Sequence, residues 1–332
     1  MRRAACAVPV LCAAMLLTAC AGENAPVGEA GPEFSAEQGV SGGQESSAGQ
    51  SVSGGQESSA EQGVSSGQGA LEETGGQDAD WRAERLKQDC RTKHDRRTEP
   101  EDWEKTERMD LDACESGRVT LDGGDIWLSG SLEGQVVIDA EEDELVHLYL
   151  AGVEITSLNG PAVFIEEASK VVVTLVSDTE NVLTDSPDYT DYEESPACLY
   201  SVCDLTINGN GALRVSACHE DGVRGKDRIR LLDGTVSVQA RGDGIRGNDG
   251  IYIQNASVSV ESEKNGLRTV NQGADDRGVI EINGGTLSVV AGQNGVSAAS
   301  DLYLYDGLCS VNAVQEKVRA QGSVRIAKGC ME

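Results

Sequence analysis

A near-repeat constrains this chain more than any other feature. DGVRGKDRIRLLDGTVSV begins at Asp221, and DGIRGNDGIYIQNASVSV begins at Asp243. The repeat extends in columns. Asp221, Asp243, Asn265, Asn294 and Glu316 align, and Gly222, Gly244, Gly266, Gly295 and Lys317 follow. Next come Val223, Ile245, Leu267, Val296 and Val318, and then Arg224, Arg246, Arg268, Ser297 and Arg319. The steps are 22, 22, 29 and 22 residues, the long one holding an insertion in VNQGADDRG. The rest of each unit alternates in period two, as in Ile229 and Leu231, then Val236 and Val238, with LDG, QNA, NGG or YDG turns between. One such unit cannot bury its apolar face, but stacked units can, so the period implies a solenoid. No stretch has the 3.6 period of helical repeats. Two short strands, a turn and a DG corner per unit predict an all-β, single-stranded parallel β-helix, each column a ladder of about 4.8 Å per rung. No proline occurs after Pro196, as a continuous ladder of N–H donors requires. Looser alternation in VTLDGGDIWLSGSLEGQVVIDA and LVHLYLAGVEITS reads as the first, irregular rungs.

The chain divides into four parts. Residues 1–20 read as a lipoprotein signal: Arg2 and Arg3 precede an apolar run that is short for a membrane span, and LTAC places a lipidation site at Cys20. Residues 21–78 read as a disordered tether, because VSGGQESSAGQS at Val40 returns at Val52 in a Gly, Ser, Gln and Glu background without Lys or Arg. Residues 79–117 are charged and read as partly helical or irregular, and 118–332 hold the β-helix. The expected location is the extracellular face of a membrane, held there by the lipid. A net charge of -29 excludes a basic nucleic-acid surface and suits an exported or cation-binding one. Of ten cysteines, seven follow Cys20, an odd number that leaves at least one thiol unpaired within the chain. A bridge from Cys90 to Cys114 is the pairing expected across the charged segment.

The succession SGSLEGQVVIDA, LYLAGVEITSLNGPAVFIE, KVVVTLVSDTENVLTD, CLYSVCDLTINGNGALRV and the DG-I-R-G units, spanning about Val119 to Val311, resembles a bacterial family of carbohydrate-binding parallel β-helix proteins. The family is typified by an exported clostridial member that binds cellulose and polygalacturonate. The resemblance implies a right-handed β-helix, bound calcium, affinity for plant cell-wall or acidic polysaccharide, and a shape similar to pectate lyases.

The columns carry the candidate sites, with two readings each. The DG corner is either a turn, with Asp bonding its own backbone and Gly at positive φ, or a calcium site. Asp221, Asp227, Asp243, Asp249 and Asn265 are the candidate ligands, with Asp275 and Asp276 in the insertion as additions. Arg224, Arg246 and Arg268 either neutralise the acid column or present forks to uronate carboxylates. Lys226 and Tyr252 complete the candidate sugar contacts. Tyr252 and Tyr303 share an outward column and Trp127 lies early, too sparse for a flat aromatic platform. No catalytic residue is assigned: Lys226 beside Asp227 is the only tempting base, and His94, His147 and His219 form no evident site. The expected function is non-catalytic binding of an acidic glycan. A calcium-dependent pectate-type lyase and an adhesive envelope spacer are the alternatives.

Overall fold

The computed structural model describes residues 92–115, 117–190, 196–273 and 277–332. The signal, Cys20, the tether, Cys90, Asp275 and Asp276 lie outside the described residues. The described residues form an all-β fold with two short 3₁₀ turns, His94–Arg96 and Leu111–Ala113, and no α-helix.

Pairing is parallel and follows the sequence period. Ile229, Ile251, Ile280 and Leu302 stand in one ladder, and Leu231, Ile253, Ile282 and Leu304 in the same strands two residues on. Val236, Val258, Leu287 and Cys309 form another. All of these side chains are buried. Each aliphatic group removed from water contributes roughly 1.5–3 kcal/mol, so stacking supplies the core that one unit lacks.

The coils from Asp221 and Asp243 have three strands each rather than the expected two and a corner. Asp221–Gly225, Arg228–Leu231 and Thr235–Ala240 make one coil, and Ile245–Gly247, Gly250–Gln254 and Ser257–Ser262 the next. The stretch DGVRG is therefore a strand. Its glycine column is not at positive φ; it serves close approach. A Cβ on Gly222 would collide with Val238 Cγ1 and the Gly244 carbonyl, and Gly244, Gly266 and Gly295 meet Val260, Val289 and Val311 in the same way. Positive φ belongs to the other corner, at Gly234, Asn255, Gly284, Gly285 and Gly307.

That glycine bend also changes the ladder. In Val279–Ala291 the backbone turns through Gly284 and Gly285 without leaving the pairing pattern, so the strand pairs with both Gly250–Gln254 and Ser257–Ser262. Leu145–Thr156 does the same around Gly152, pairing with Lys170–Leu175 and Glu180–Thr184. The ladder thereby closes into a ring of 10 parallel strands. The simple solenoid expected from the period is met only in part, because these strands, like Gly124–Asp139 and Leu302–Ala313, join columns that a solenoid keeps apart.

Candidate functional site

The strand that begins at Asp221 sets out the candidate residues by alternation. Val223 points inward, and Asp221 and Arg224 lie at its edge and outer face. Pairing stacks Arg224, Arg246 and Arg268, then Ser297 and Arg319. Tyr200 precedes them in the same column.

The acid column is a side-chain ladder. Asp221 Oδ1 accepts from the Asp243 N–H at 2.8 Å. Asp243 Oδ1 accepts from the Asn265 N–H at 3.0 Å and from Asn265 Nδ2 at 2.7 Å. Asn265 Oδ1 accepts in turn from the Asn294 N–H at 3.3 Å and from Asn294 Nδ2 at 2.9 Å. One oxygen of each side chain thus satisfies the next coil's backbone in a buried edge. The second carboxylate oxygens face the arginines. Asp221 Oδ2 lies 3.6 Å from Arg224 Nη1 and 4.0 Å from Arg246 Nη1, and Asp243 Oδ2 lies 3.3 Å from Arg268 Nη1. Burial, and then the neighbouring Asp243 charge, push the Asp221 carboxyl up to about 6. Burial and the Arg224 charge lower Arg246.

The arginine column opens towards its later end, with side chains 18%, 21% and 39% exposed at Arg224, Arg246 and Arg268. Arg224 lies over the Tyr200 ring at 5.8 Å, and its Nε has no hydrogen-bond partner. Arg246 Nε donates to Asn248 Oδ1 at 3.4 Å. Because the third acid position is Asn265, three guanidinium groups face two carboxylates.

The remaining candidates lie elsewhere. Lys226 is exposed at the far end of the strand. Asp227 and Asp249 stand beyond it, stacked on each other through the Asp249 N–H and the Asp227 carbonyl at 3.2 Å. Asp249 accepts from Asn271 Nδ2 at 2.6 Å and faces Arg277 Nε at 3.5 Å. Burial, then the charges of Asp204 and Asp249, raise Asp227. The five candidate calcium ligands therefore fall into two groups at opposite ends of the strand. Among the described residues no cluster of three or more His, Cys, Asp or Glu suits a metal ion. Tyr252 is on the next face, in register with Arg230 and Glu281, with the Arg230 guanidinium 5.7 Å from its ring centroid. The fold does not bring it to the arginine column.

A family model described as carbohydrate-binding domain-containing protein matches residues 116–330. The chain belongs to that family. A relative from Acetivibrio thermocellus, described in the same words, is 37% identical over 204 residues, which is 60% of this chain and 71% of the relative. A solved structure of the polysaccharide lyase-like protein from C. thermocellum, a gadolinium derivative, is similar with a TM-score of 0.64 and 26% identity. That match covers 68% of this chain and 98% of the other.

Two further residues of this carbohydrate-binding family member escape a reading by repeats. Tyr200 supports the first arginine from the irregular coil before the repeat. Asp185 is buried nearby, accepting from Tyr189 Oη at 2.7 Å and from the Cys218 N–H at 2.5 Å, and burial pushes it up to about 6. The expected Cys90–Cys114 bridge is absent, because Cys114 is a free thiol. Cys218 is disulfide-bonded.

Proposed function

We propose that the protein binds an acidic polysaccharide without cleaving it, along the outer face of Arg224, Arg246 and Arg268. The observation that carries this is the charge imbalance of that edge. A half-open run of three guanidinium groups meets two buried carboxylates, and one buried Nε lacks a partner. A sugar carboxylate balances the guanidinium charge at the exposed edges of the column, and repeats along the polymer as the arginines repeat along the fold. Family membership supports a polysaccharide as the polymer. The same reading has the coils wound as a right-handed, single-stranded parallel β-helix, supported by the 22-residue register on all three faces. It has the chain exported and held at the outer membrane face through Cys20, supported by the basic start and the LTAC motif. Calcium enters only as an arm of the test, supported by the acidic columns.

A calcium-dependent polysaccharide lyase is the second reading, favoured by the likeness to a polysaccharide lyase-like structure. Calorimetry against oligogalacturonate, with calcium and with EDTA, separates the two when ultraviolet absorbance of unsaturated product is followed in parallel. The expected result is binding without product. Changing Arg224 and Arg246 together to Gln should weaken that binding and flatten its salt dependence. Unchanged binding by the double variant overturns the arginine assignment, and product formation by the parent establishes the lyase.

A further inference from the structure

Trp103 keeps 44% of its surface in water. The turn that carries it is fixed by its own hydrogen bonds. The Asp102 carbonyl accepts from the N–H groups of Lys105 and Thr106, both at 3.1 Å, and from Thr106 Oγ1 at 2.8 Å. Asp102 Oδ1 accepts from the Glu104 N–H at 3.0 Å. Both flanks are tied to the sheet. Arg97 forks onto Asp125 with two bonds of 2.5 Å, and Glu107–Asp110 pairs with Ile126–Ser129.

The ring stands at the end of an aromatic file. Trp103 lies 5.3 Å from Trp127 at an interplanar angle of 50°. Trp127 stacks on Tyr149 at 5.9 Å, and Tyr149 on His147 at 4.3 Å, the last two fully buried. The Arg108 guanidinium is 5.3 Å from the Trp103 centroid and 5.9 Å from that of Trp127. A rigid, half-exposed indole with a cation beside it is a poor way to bury apolar surface. It is a good way to meet a ring with one apolar face and polar edges. The tilt between the indoles makes a corner, which suits a single ring of a chain better than a flat crystalline face.

We propose that Trp103, Trp127 and Arg108 form a second sugar-binding subsite. A pyranose ring packs against the exposed part of Trp103, and Arg108 takes the carboxylate of that ring. This rests on the polysaccharide-binding reading and adds a contact on a different part of the fold, reached by no repeat residue.

The test titrates the full chain with oligogalacturonate, reading both intrinsic tryptophan fluorescence and calorimetric Kd, for the parent, Trp103→Ala, Trp103→Phe and the double Gln variant at Arg224 and Arg246. Thermal melts confirm that each variant is folded at the titration temperature. Binding should shift the parent's fluorescence, Trp103→Ala should bind about fivefold or more weakly, and Trp103→Phe should recover most of the loss. An unchanged Kd for Trp103→Ala overturns the subsite and leaves the arginine column standing. The reverse pattern, loss in Trp103→Ala with none in the double Gln variant, overturns the arginine column and supports the subsite. A parent that binds no oligogalacturonate overturns both.

Discussion

The early and late coils share one kind of interior but have opposite exteriors. In Leu145–Thr156, Lys170–Leu175 and Asp204–Gly209 the outward residues His147, Tyr149, Lys170, Thr174, Thr206 and Asn208 are buried. Further along the same faces, Tyr252, Glu281 and Arg325 are only half-buried, although Arg230 and Tyr303 of that column stay buried. The difference is made by the segment Thr92–Arg97, which lies across the early face. Its Asp95 carboxylate pairs with Lys170 and accepts from Thr206 Oγ1 at 2.5 Å. Asn208 Nδ2 donates to the carbonyls of Asp95 and Arg97, both at 2.9 Å. Burial alone would raise the Asp95 carboxyl, but the bonds from Lys170 and Thr206 more than offset it and hold the group below the usual range. Inward residues decide whether a coil folds, and what lies across the outward residues decides whether that coil can meet a ligand.

The largest effect should strike what the two regions share. Ile253 is 1% exposed between Leu231 and Ile282. Ile253→Asp places an unpaired charge in the continuous core and should cost more than about 4 kcal/mol. Chemical denaturation measures it, and a loss near that of a surface change would contradict a common interior.

Next comes the strap that separates the regions. Asp95→Ala leaves Lys170 buried without its partner, and should cost about 3 kcal/mol. Hydrogen exchange should speed up in 145–209 and stay unchanged in 228–262. Uniform acceleration would mean that the early coils are not a separable region. Adding Lys170→Met should return part of the loss, because the uncompensated charge is then gone.

The late coils were the readable ones. The columns Val223, Ile245, Leu267 and Val296, and Arg224, Arg246 and Arg268, pair as the spacing predicts, because a stacked repeat prints its contacts at a fixed period. DGVRG misled for a local reason: Asp-Gly signals a turn, whereas Gly222 is required by the nearness of Val238 and Gly244 inside a strand. The strap and the Trp103 turn left no periodic trace. Asp95 meets Thr206 across 111 residues, and Trp103 meets Trp127 from a segment whose composition is mostly charged. At the candidate site, the alternation showed which side chains point outward. It did not show that Asn265 leaves the third arginine without an acid of its own rung, because that depends on which oxygen faces which guanidinium.

A smaller effect separates two buried carboxyls from the strap by pH. Asp221 and Asp185 sit near 6, well above the 3.8 of an ordinary aspartate. A carboxyl raised in the folded state binds protons there before it does in the unfolded chain. Stability should therefore rise as pH falls from 7 through 6 and level off near 4, by on the order of 2 kcal/mol per group. Asp221→Asn should flatten this rise. Asp95, lowered in the fold, acts in the opposite sense and only at lower pH, where the strap should loosen. A melting temperature that falls steadily from pH 7 to 5 would contradict the raised pair.

The smallest effect is expected on the open arginine column itself. Arg246 points outward, its side chain is 21% exposed, and its contact to Asp221 Oδ2 is long at 4.0 Å. Arg224 stays 3.6 Å from the same oxygen, so removing Arg246 does not leave that carboxylate alone. Its loss also relieves the repulsion between stacked guanidinium groups, which adds to burial in lowering Arg246. Arg246→Ser should therefore change stability by less than about 1 kcal/mol and move the Asp221 carboxyl slightly higher, which steepens the pH dependence just described. Parallel melts of the parent and Arg246→Ser at pH 7 and pH 5 measure both. A loss like that of Asp95→Ala would make this arginine a structural clamp, and the arginine face would then be closed by its own side chains, as the strap closes a different face of the early coils.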